Sequence, residues 1–410
     1  MVLNPSIVNN PDLDQWVEVA NDQRIIIHTG KVEIGQRITT ALAMIAAEEL
    51  SVSYNQIDIK RTETGIDPNE GFTAGSNSTQ HSGGAVRLAS ATARMYMLEI
   101  AAKEMDVEID SLEIENGLIQ SRNTNRTVTY WDLMAGKKFA VKIDPEAKIK
   151  SHQDYSVIGT HVVSKGITEI VTGKKTFVQD IKMPGMLHAR LVRPPHYLAS
   201  LAEINKTALE NLKASNVKVI RDGSFLAVAN ADEYRAIKAA NRLSSAVDWN
   251  LNDGLAVNDL YDSLTTNDRV SLPVVGGGAP VDKPVPPLQK PPSEATKTIS
   301  ARFEKPYHMH GSIGPSAGCA IYKNGRLTVW TQSQGVYPLR KAIAAAFDMI
   351  VEHIQVIFVE GAGCYGHNGA DDAAFEAALI ARFIPETPIL LKWTRDDEHA
   401  WEPYGSAMVL

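Results

Sequence analysis

A strand, a glycine-rich loop and a helix follow one another over residues 354–381, and this order most constrains the fold. Residues 354–359 are an apolar run that predicts a buried strand. Residues 361–369 contain four glycines, and the helix-forming run after them begins with Asp371 and Asp372, a pair more typical of a helix start than of a catalytic dyad. Backbone N–H groups at such a junction can face an anion or an oxo group. The loop by itself is equally compatible with a tight turn that binds nothing.

Three further loops lie in the same setting, after a predicted strand and before a predicted helix. They are residues 33–36, 76–78 and 331–335, and the fourth is residues 363–366 of the run above. Proteins of the α/β class place ligands at the ends of strands in this way. The loops offer amide and hydroxyl groups, and no basic cluster accompanies them except Arg37, directly after the first loop. Such groups suit a large polar heterocycle and its phosphates better than a bare metal ion.

Composition excludes several classes of protein. The chain has 410 residues and a net charge of -7 without a Lys/Arg-rich run, which argues against nucleic-acid binding. Its two cysteines, Cys319 and Cys364, cannot form a disulfide framework or hold an iron–sulfur cluster. No apolar run approaches the roughly 18 residues that span a membrane, and no signal-peptide pattern begins the chain. We therefore expect a cytoplasmic protein, or a periplasmic one if a signal was removed or a partner carries one.

The pattern of elements predicts an α/β protein with four regions. Residues 1–150 and 298–410 alternate strands with helices, including helices at 38–50 and 85–105 and a hairpin at 112–120. Residues 151–265 form a second unit, with strands predicted near 176–178, 186–192, 217–220 and 225–229 and a helix at 233–244. Residues 266–297 are a connector rich in proline and glycine.

Familiar catalytic motifs are absent from the sequence. There is no Walker loop, no G-x-G-x-x-G at the first strand and no G-x-S-x-G elbow. His308 and His310 would point the same way in a strand, so a metal site is conceivable, but a packed or hydrogen-bonding pair is favoured. We assign no metal ligand, and the loop context of His367 predicts an exposed side chain.

The local amino-acid sequence of the loops resembles that of the molybdenum-cofactor subunits of the xanthine dehydrogenase/aldehyde oxidase family. The likeness is greatest to the branch of isoquinoline 1-oxidoreductase and the nicotinate dehydrogenase large subunit, in which a piece that is C-terminal in xanthine dehydrogenase is N-terminal. The segments that carry it are residues 30–36 (Gly-Lys-Val-Glu-Ile-Gly-Gln), 73–84 (Thr-Ala-Gly-Ser-Asn-Ser-Thr-Gln-His-Ser-Gly-Gly) and 360–395. Residues 155–245 are similar to the aldehyde oxidase a/b hammerhead domain.

The resemblance implies a role for each loop. Contacts to a pterin dinucleotide are implied for Gly35, Gln36, Arg37, Ser76, Asn77 and Ser78. Gln332 matches the glutamine that hydrogen-bonds an oxo ligand of molybdenum. Tyr365 and Gly366, preceded by Cys364, match the pair that lies beside the metal and the substrate. Among these, Gln332 and Tyr365 are the implied catalytic residues.

Two departures from the family pattern bear on the substrate. Arg37 stands where many relatives have glycine, and Gly314 stands where xanthine dehydrogenase has glutamate before proline. The family's Ala-Phe-Arg-Gly loop and the glutamate that serves as catalytic base are not found in these residues. We therefore expect a second polypeptide to complete the site.

The activity implied is hydroxylation of an electron-poor carbon in an N-heteroaromatic compound, nicotinate- or isoquinoline-like, with oxygen from water. The implied cofactor is molybdenum with molybdopterin cytosine dinucleotide. Electrons would pass to [2Fe-2S] clusters on a small partner subunit and, in some assemblies, to a FAD or cytochrome subunit. The alternatives are oxidation of an aldehyde to a carboxylate, a non-catalytic assembly subunit, and a generic nucleotide-binding module, which the missing phosphate fingerprint disfavours.

Overall fold

The computed structural model describes residues 4–252, 259–275, 279–368 and 372–410. Its helices are α1 (Pro5–Asn9), α2 (Ile38–Leu50), α3 (Gly84–Met105), α4 (Tyr130–Met134), α5 (Ile167–Val171), α6 (Lys206–Ala214), α7 (Glu233–Ser244), α8 (Leu260–Thr266), α9 (Val336–Phe347), α10 (Asp372–Phe383) and α11 (Arg395–Trp401). Its strands are β1 (Val17–Val19), β2 (Ile25–Ile27), β3 (Ile57–Ile59), β4 (Leu112–Glu115), β5 (Leu118–Ser121), β6 (Thr127–Thr129), β7 (Leu187–Leu191), β8 (Ser200–Ile204), β9 (Lys218–Asp222), β10 (Phe225–Asn230), β11 (Val247–Asn250), β12 (Val274–Val275), β13 (Ala279–Pro280), β14 (Glu304–Lys305), β15 (Ala317–Lys323), β16 (Arg326–Thr331), β17 (Ile354–Phe358), β18 (Ile389–Lys392) and β19 (Met408–Val409).

A small three-stranded sheet organises the N-terminal part of the chain. Its order is β1-β2-β3, with β1 antiparallel to β2 and β2 parallel to β3. The helices α2 and α3 share its apolar core, in which Leu42, Ile57 and Met97 are fully buried. Because β2 and β3 run in parallel, their carboxyl ends lie at the same edge, and each is followed by one of the predicted loops.

The larger sheet has seven strands in the order β17-β16-β15-β18-β7-β10-β9. The pairs β16–β17 and β18–β7 are parallel and the other neighbours are antiparallel. Strands from the predicted units 151–265 and 298–410 therefore share one sheet. The division into four regions stays a prediction.

A short segment after β3 joins the two sheets. The N–H of Thr64 donates to the carbonyl of Val356 at 3.0 Å, and the N–H of Phe358 donates to the carbonyl of Thr62 at 2.9 Å. An isolated bridge between Glu63 and Ile357 lies between these two bonds. This pairing extends the edge of β17 and brings the N-terminal loops to the end of the seven-stranded sheet.

Most predicted elements are present, and the mixed α/β class is confirmed. The helices α2 and α7 have the predicted bounds, and the Asn116–Gly117 turn of the hairpin has positive φ at both residues. The strand predicted at 176–178 is wrong: Val178–Asp180 is a 3-10 helix. Val178 is buried, but its N–H donates to the carbonyl of Glu360 in a single hydrogen bond. This bond is not part of a strand pairing. Burial by itself does not make a strand.

The segment between the fourth loop and α10 is described only in part. Asp371, predicted with Asp372 to start a helix, lies outside the described residues, and α10 begins at Asp372. The three glycines 276–278 of the connector also lie outside them. Among the helices that the structure describes, none is long and apolar enough to cross a membrane.

Candidate functional site

The four predicted loops converge because each follows one of two parallel strand pairs. Residues 33–36 lie between β2 and α2, and residues 76–78 lie between β3 and α3. Residues 331–335 come at the end of β16, and residues 363–366 follow β17. The segment 62–64 then brings the two strand pairs together. The fold thus gathers four loops that are far apart in sequence at neighbouring sheet ends.

A continuous series of hydrogen bonds connects the loops. The N–H of Val32 donates to Oγ1 of Thr73 at 2.9 Å, and the N–H of Thr73 donates to the carbonyl of Gln334 at 2.7 Å. The Nε2 of Gln334 donates back to the carbonyl of Thr73 at 2.8 Å. The thiol of Cys364 donates to Oε1 of Gln334 at 3.2 Å. Gln334 therefore links the second, third and fourth loops.

Gln332 lies in a buried amide cluster, with 1% of its surface exposed. Its Oε1 accepts a hydrogen bond from Gln179 at 3.2 Å, and its Nε2 is 3.4 Å from Oδ1 of Asn368. A Cβ atom on Gly361 would lie 1.8 Å from Oε1 of Gln332, so glycine is required there. Gln332 does not cap the next helix, because the N-cap of α9 is Gly335.

The first loop is organised by Glu33, which sequence analysis did not single out. Its buried carboxylate accepts the N–H groups of Gly35 and Arg37, both at 2.9 Å, and the hydroxyl of Thr39 at 2.8 Å. The carboxylate thus occupies the anion position at the start of α2. This role of Glu33 could have been predicted from its position in the sequence, two residues before a glycine turn that leads into a helix.

The remaining residues of the first loop are more open. The side-chain amide of Gln36 bonds within the loop, to the N–H of Ile34 at 2.7 Å and the carbonyl of Val32 at 2.9 Å. Gly35 and Gln36 are exposed and Arg37 is half-buried. Arg37 has φ of 63°, and within the described chain its side chain makes no hydrogen bond or ion pair.

The second loop presents two free hydroxyl groups. Ser76 is exposed with φ of 59°, an uncommon conformation for a residue with a Cβ atom. Ser78 is half-buried and begins a π-helical segment, Ser78–Gly83, that leads into α3. Within the described residues neither hydroxyl has a hydrogen-bond partner, and Asn77 packs its amide against Gly75. Strained residues and π-helical turns are frequent at functional sites.

The fourth loop separates a buried residue from an exposed one. Cys364 is buried, and its Sγ accepts the N–H of Gly366 at 3.4 Å. Tyr365, between them, has φ of 58° and is 58% exposed. The strained backbone turns the aromatic ring of Tyr365 outward beside the Cys364–Gln334 contact.

The prediction that His367 is exposed is wrong, because its side chain is 3% exposed. Its Nε2 is 2.9 Å from Oε1 of Glu398, and its Nδ1 donates to the carbonyl of Cys364 at 2.7 Å. Burial by itself would lower the pKa of His367, but these hydrogen bonds raise it above its usual value. The acidic partner comes from α11, so the loop sequence carried no sign of it.

A cavity of about 300 Å³ lies between the first loop and the end of β17. Val32, Glu33 and Thr39 line one side, and Val359 and Glu360 the other. Cations from four segments also line it: Lys31, Lys60, Arg61, Lys165 and Lys175. No basic cluster is visible along the sequence, because these residues meet only in the folded chain. Lys60 and Arg61 have no ion pair within the described residues, so they are available to an anion.

Comparisons with known proteins match this arrangement to one family. Residues 3–178 and 288–409 match two family models, each described as a molybdopterin cofactor-binding domain, and together they cover most of the chain. The chain belongs to the molybdopterin-binding proteins of the xanthine dehydrogenase family. A subunit of nicotinate dehydrogenase from Pseudomonas putida is 32% identical over 98% of this chain and 34% of its own length. The predicted family and branch are thereby confirmed.

Other relatives are less similar. The beta subunit of isoquinoline 1-oxidoreductase from Brevundimonas diminuta is 24% identical over 96% of this chain and 55% of its own length. Membrane-bound aldehyde dehydrogenase (pyrroloquinoline-quinone) of Gluconacetobacter polyoxogenes is 23% identical over 96% of this chain and 52% of its own length. The crystal structure of quinoline 2-oxidoreductase from Pseudomonas putida 86 has a TM-score of 0.45 and 14% identity, over 62% of this chain and 37% of that chain. The chain thus spans about a third to just over half the length of these curated relatives.

Proposed function

We propose that this molybdopterin-binding chain is part of a molybdenum hydroxylase that acts on an electron-poor carbon of an N-heteroaromatic compound, nicotinate- or isoquinoline-like. The observation that carries the proposal is the hydrogen-bonded convergence of the four loops through Thr73, Gln334 and Cys364. The names of the nicotinate and isoquinoline relatives support the substrate class.

The residues present fit a pterin dinucleotide. Ser76 and Ser78 offer hydroxyl groups that the described chain leaves unbonded, which suits the polar edge of a pterin. The cations of the 300 Å³ cavity, Lys60 and Arg61 among them, suit a pyrophosphate. Gly361 leaves the space that the Gln332 amide occupies. The cytosine form of the dinucleotide is part of the proposal, and its recognition falls to residues near Gly35 and Arg37.

The protein groups have separate tasks in this scheme. The cofactor, when bound, supplies the two-electron oxidation and the activated oxygen. Gln332 would donate an N–H to an oxygen of the cofactor, and Gln179, which donates to Oε1 of Gln332, would hold the amide in that orientation. Tyr365 and Gly366 would form the wall on the substrate side, where the exposed phenol ring of Tyr365 can pack against a flat heterocycle.

Partners complete the proposed enzyme. Polypeptide equivalent to the rest of the relatives' length would supply the catalytic glutamate and the remaining cofactor contacts. A [2Fe-2S] subunit would take the electrons, since the two cysteines of this chain are buried and unsuited to hold a cluster. A FAD or cytochrome subunit is a further proposed acceptor. A cytoplasmic location, or a periplasmic one, stays a prediction.

The proposal is tested on the complex purified with its natural partners. Acid release of the cofactor followed by mass spectrometry should yield molybdopterin cytosine dinucleotide, and incubation with nicotinate in ¹⁸O-labelled water should give a labelled hydroxylated product. A complex with neither pterin nor molybdenum would instead support the non-catalytic assembly subunit. Bound pterin without turnover of any heterocycle would refute the substrate class alone.

Aldehyde oxidation is the second candidate. It is favoured by the relative named aldehyde dehydrogenase, which matches 96% of this chain. The same preparation should then oxidise an aromatic aldehyde to its carboxylate with a kcat/KM well above that for nicotinate. The ratio of the two specificity constants decides between the candidates.

A further inference from the structure

Two histidines and two glutamates form a buried cluster beside the fourth loop. His310 Nδ1 lies 3.2 Å from Oε1 of Glu402, and His367 Nε2 lies 2.9 Å from Oε1 of Glu398. The two imidazole rings are 5.5 Å apart between centroids. The carboxylates of Glu398 and Glu402 are fully buried, and the His310 ring is 27% exposed. The cluster therefore has one opening, at His310.

The cluster requires positive charge. The carbonyl of Cys364 can only accept, so the Nδ1 of His367 carries a hydrogen, and a hydrogen bond from Nε2 to Glu398 needs a second proton on the ring. With both imidazoles neutral, two buried carboxylates would lack compensation, which proteins avoid. Either protons within the cluster or a bound cation must supply that charge.

One atom of the cluster distinguishes these possibilities. Oε1 of Glu402 accepts from the backbone N–H of His310, but Oε2 is buried and has no hydrogen-bond partner within the described residues. Protonated imidazoles would leave Oε2 without a partner, whereas a metal ion would give it one. One ligand atom from each of His310, His367 and Glu402 lies within 4.8 Å of the others. Ligands around a single zinc ion are separated by about 3–4 Å, so small side-chain movements would close the set.

We propose that His310, His367 and Glu402 form a binding site for a divalent first-row transition metal ion beside the fourth loop. Two imidazoles and one carboxylate are ligands that such ions prefer. The second carboxylate, Glu398, balances the charge of the ion, and the carbonyl of Cys364 accepts the Nδ1 hydrogen of His367, which leaves Nε2 as the ligand atom. The ion would fix the fourth loop to the end of α11, because Glu402 is the residue that ends this helix.

The site is assembled from three segments, and a nearby histidine serves as the control. His308 is exposed, and its backbone pairs with Gly405 at an isolated bridge. It is two residues from His310 and does not belong to the cluster. His308→Gln should therefore leave metal binding unchanged, whereas His310→Gln and Glu402→Gln remove a ligand each.

The test measures Zn²⁺ binding to the whole 410-residue chain after treatment with a chelator. Isothermal titration should show one site per chain, unchanged in His308→Gln and lost in Glu402→Gln. Glu398→Gln removes the carboxylate charge beside the ion and should weaken binding by about 10–100-fold, the usual effect of changing an outer-shell partner of a metal site. Thermal unfolding of each variant without metal shows whether it is folded.

Cobalt gives a second readout that a non-specific surface site would not produce. Co²⁺ bound by histidine and carboxylate should give visible d–d absorption in the wild type and in His308→Gln, and no such bands in His310→Gln. The proposal is overturned if the wild-type chain takes up no Zn²⁺, or if Glu402→Gln binds it as tightly as the wild type. A His367 ring that stays protonated at neutral pH with Zn²⁺ present, followed by NMR, would assign the charge to protons and overturn it as well.

Discussion

The side-chain amide of Gln334 donates to the backbone carbonyl of Thr73 at 2.8 Å, although the two residues are 261 positions apart. The N–H of Thr73 returns a bond of 2.7 Å to the carbonyl of Gln334. Two loops from different sheets are thus held by a reciprocal pair, to which Cys364 adds a third contact. Gln332, two residues earlier, has no bond to Thr73 and instead faces Gln179 and Asn368. The two glutamines should therefore respond differently to substitution.

Gln334→Ala should destabilise the fold. The change removes the donor to Thr73 and leaves buried backbone and thiol groups unpaired, at a cost of about 1–3 kcal/mol. The free energy of unfolding in urea should fall by that amount. Gln120→Ala, on an exposed position of β5, is the matched control and should change stability by less than about 0.5 kcal/mol. Equal stability of the two variants would contradict the role of Gln334.

Gln332→Ala should impair turnover more than stability. If its amide donates to an oxygen of the cofactor, the loss of one preorganised donor should lower kcat by about 10²–10³ with little change in KM. Molybdenum and pterin content should remain at the wild-type level. Wild-type kcat in Gln332→Ala, or loss of the cofactor together with activity, would refute this assignment.

Replacing both Ser76 and Ser78 with alanine should lower cofactor occupancy without altering the fold. Their hydroxyls have no partner within the described protein, so the apoprotein loses no internal bond. The matched contrast is Ser82→Ala, since the buried Ser82 hydroxyl bonds to Glu70 at 3.0 Å and Thr29 at 2.9 Å. Ser82→Ala should lower the melting temperature. Normal pterin content in the double variant would show that the two serine hydroxyls do not bind the cofactor.

Gly361→Ala should disturb the Gln332 amide. The new Cβ would lie 1.8 Å from Oε1 of Gln332, so the amide must move. Both the melting temperature and kcat should fall, because the amide then loses its contact with Gln179. Gly405→Ala is the control, since its Cβ would meet no atom closer than 3.6 Å. Similar melting temperatures and kcat values of the two alanine variants would show that the Gln332 amide does not need the space above Gly361.

Acid should weaken the contact between α7 and the seven-stranded sheet. Burial by itself would raise the pKa of Glu233, but hydrogen bonds and charge from Lys392 and Arg190 lower it to about 2. The folded pKa lies below the ordinary 4.5, so this stabilising contribution is present above pH 4.5 and is lost as the pH falls towards 2.

The experiment for Glu233 compares melting temperatures across that window. Glu233→Gln should be less stable than wild type at pH 7, and the difference should shrink between pH 4.5 and 2. Glu210→Gln, on the exposed side of α6, should track the wild type throughout. A difference between Glu233→Gln and wild type that is independent of pH would contradict the ion-pair explanation.

The sequence by itself determined the local elements, the α/β class and the positions of the four loops. Hydrophobic period, glycine turns and cap residues act over a few positions, so α2, α7 and the Asn116–Gly117 hairpin could be predicted. The resemblance to the molybdopterin-binding family rested on local sequence motifs in the same loops, and the matches to the family models confirm it.

Only the tertiary structure decided what each side chain in those loops touches. Glu33 fills the helix start that a ligand was expected to face, Gln334 spans three loops, and His367 is buried against Glu398. The cations of the 300 Å³ cavity likewise come from separate segments. These contacts depend on which elements meet across the two sheets. That pairing is set by the total burial of apolar surface over the whole chain, which no local pattern encodes.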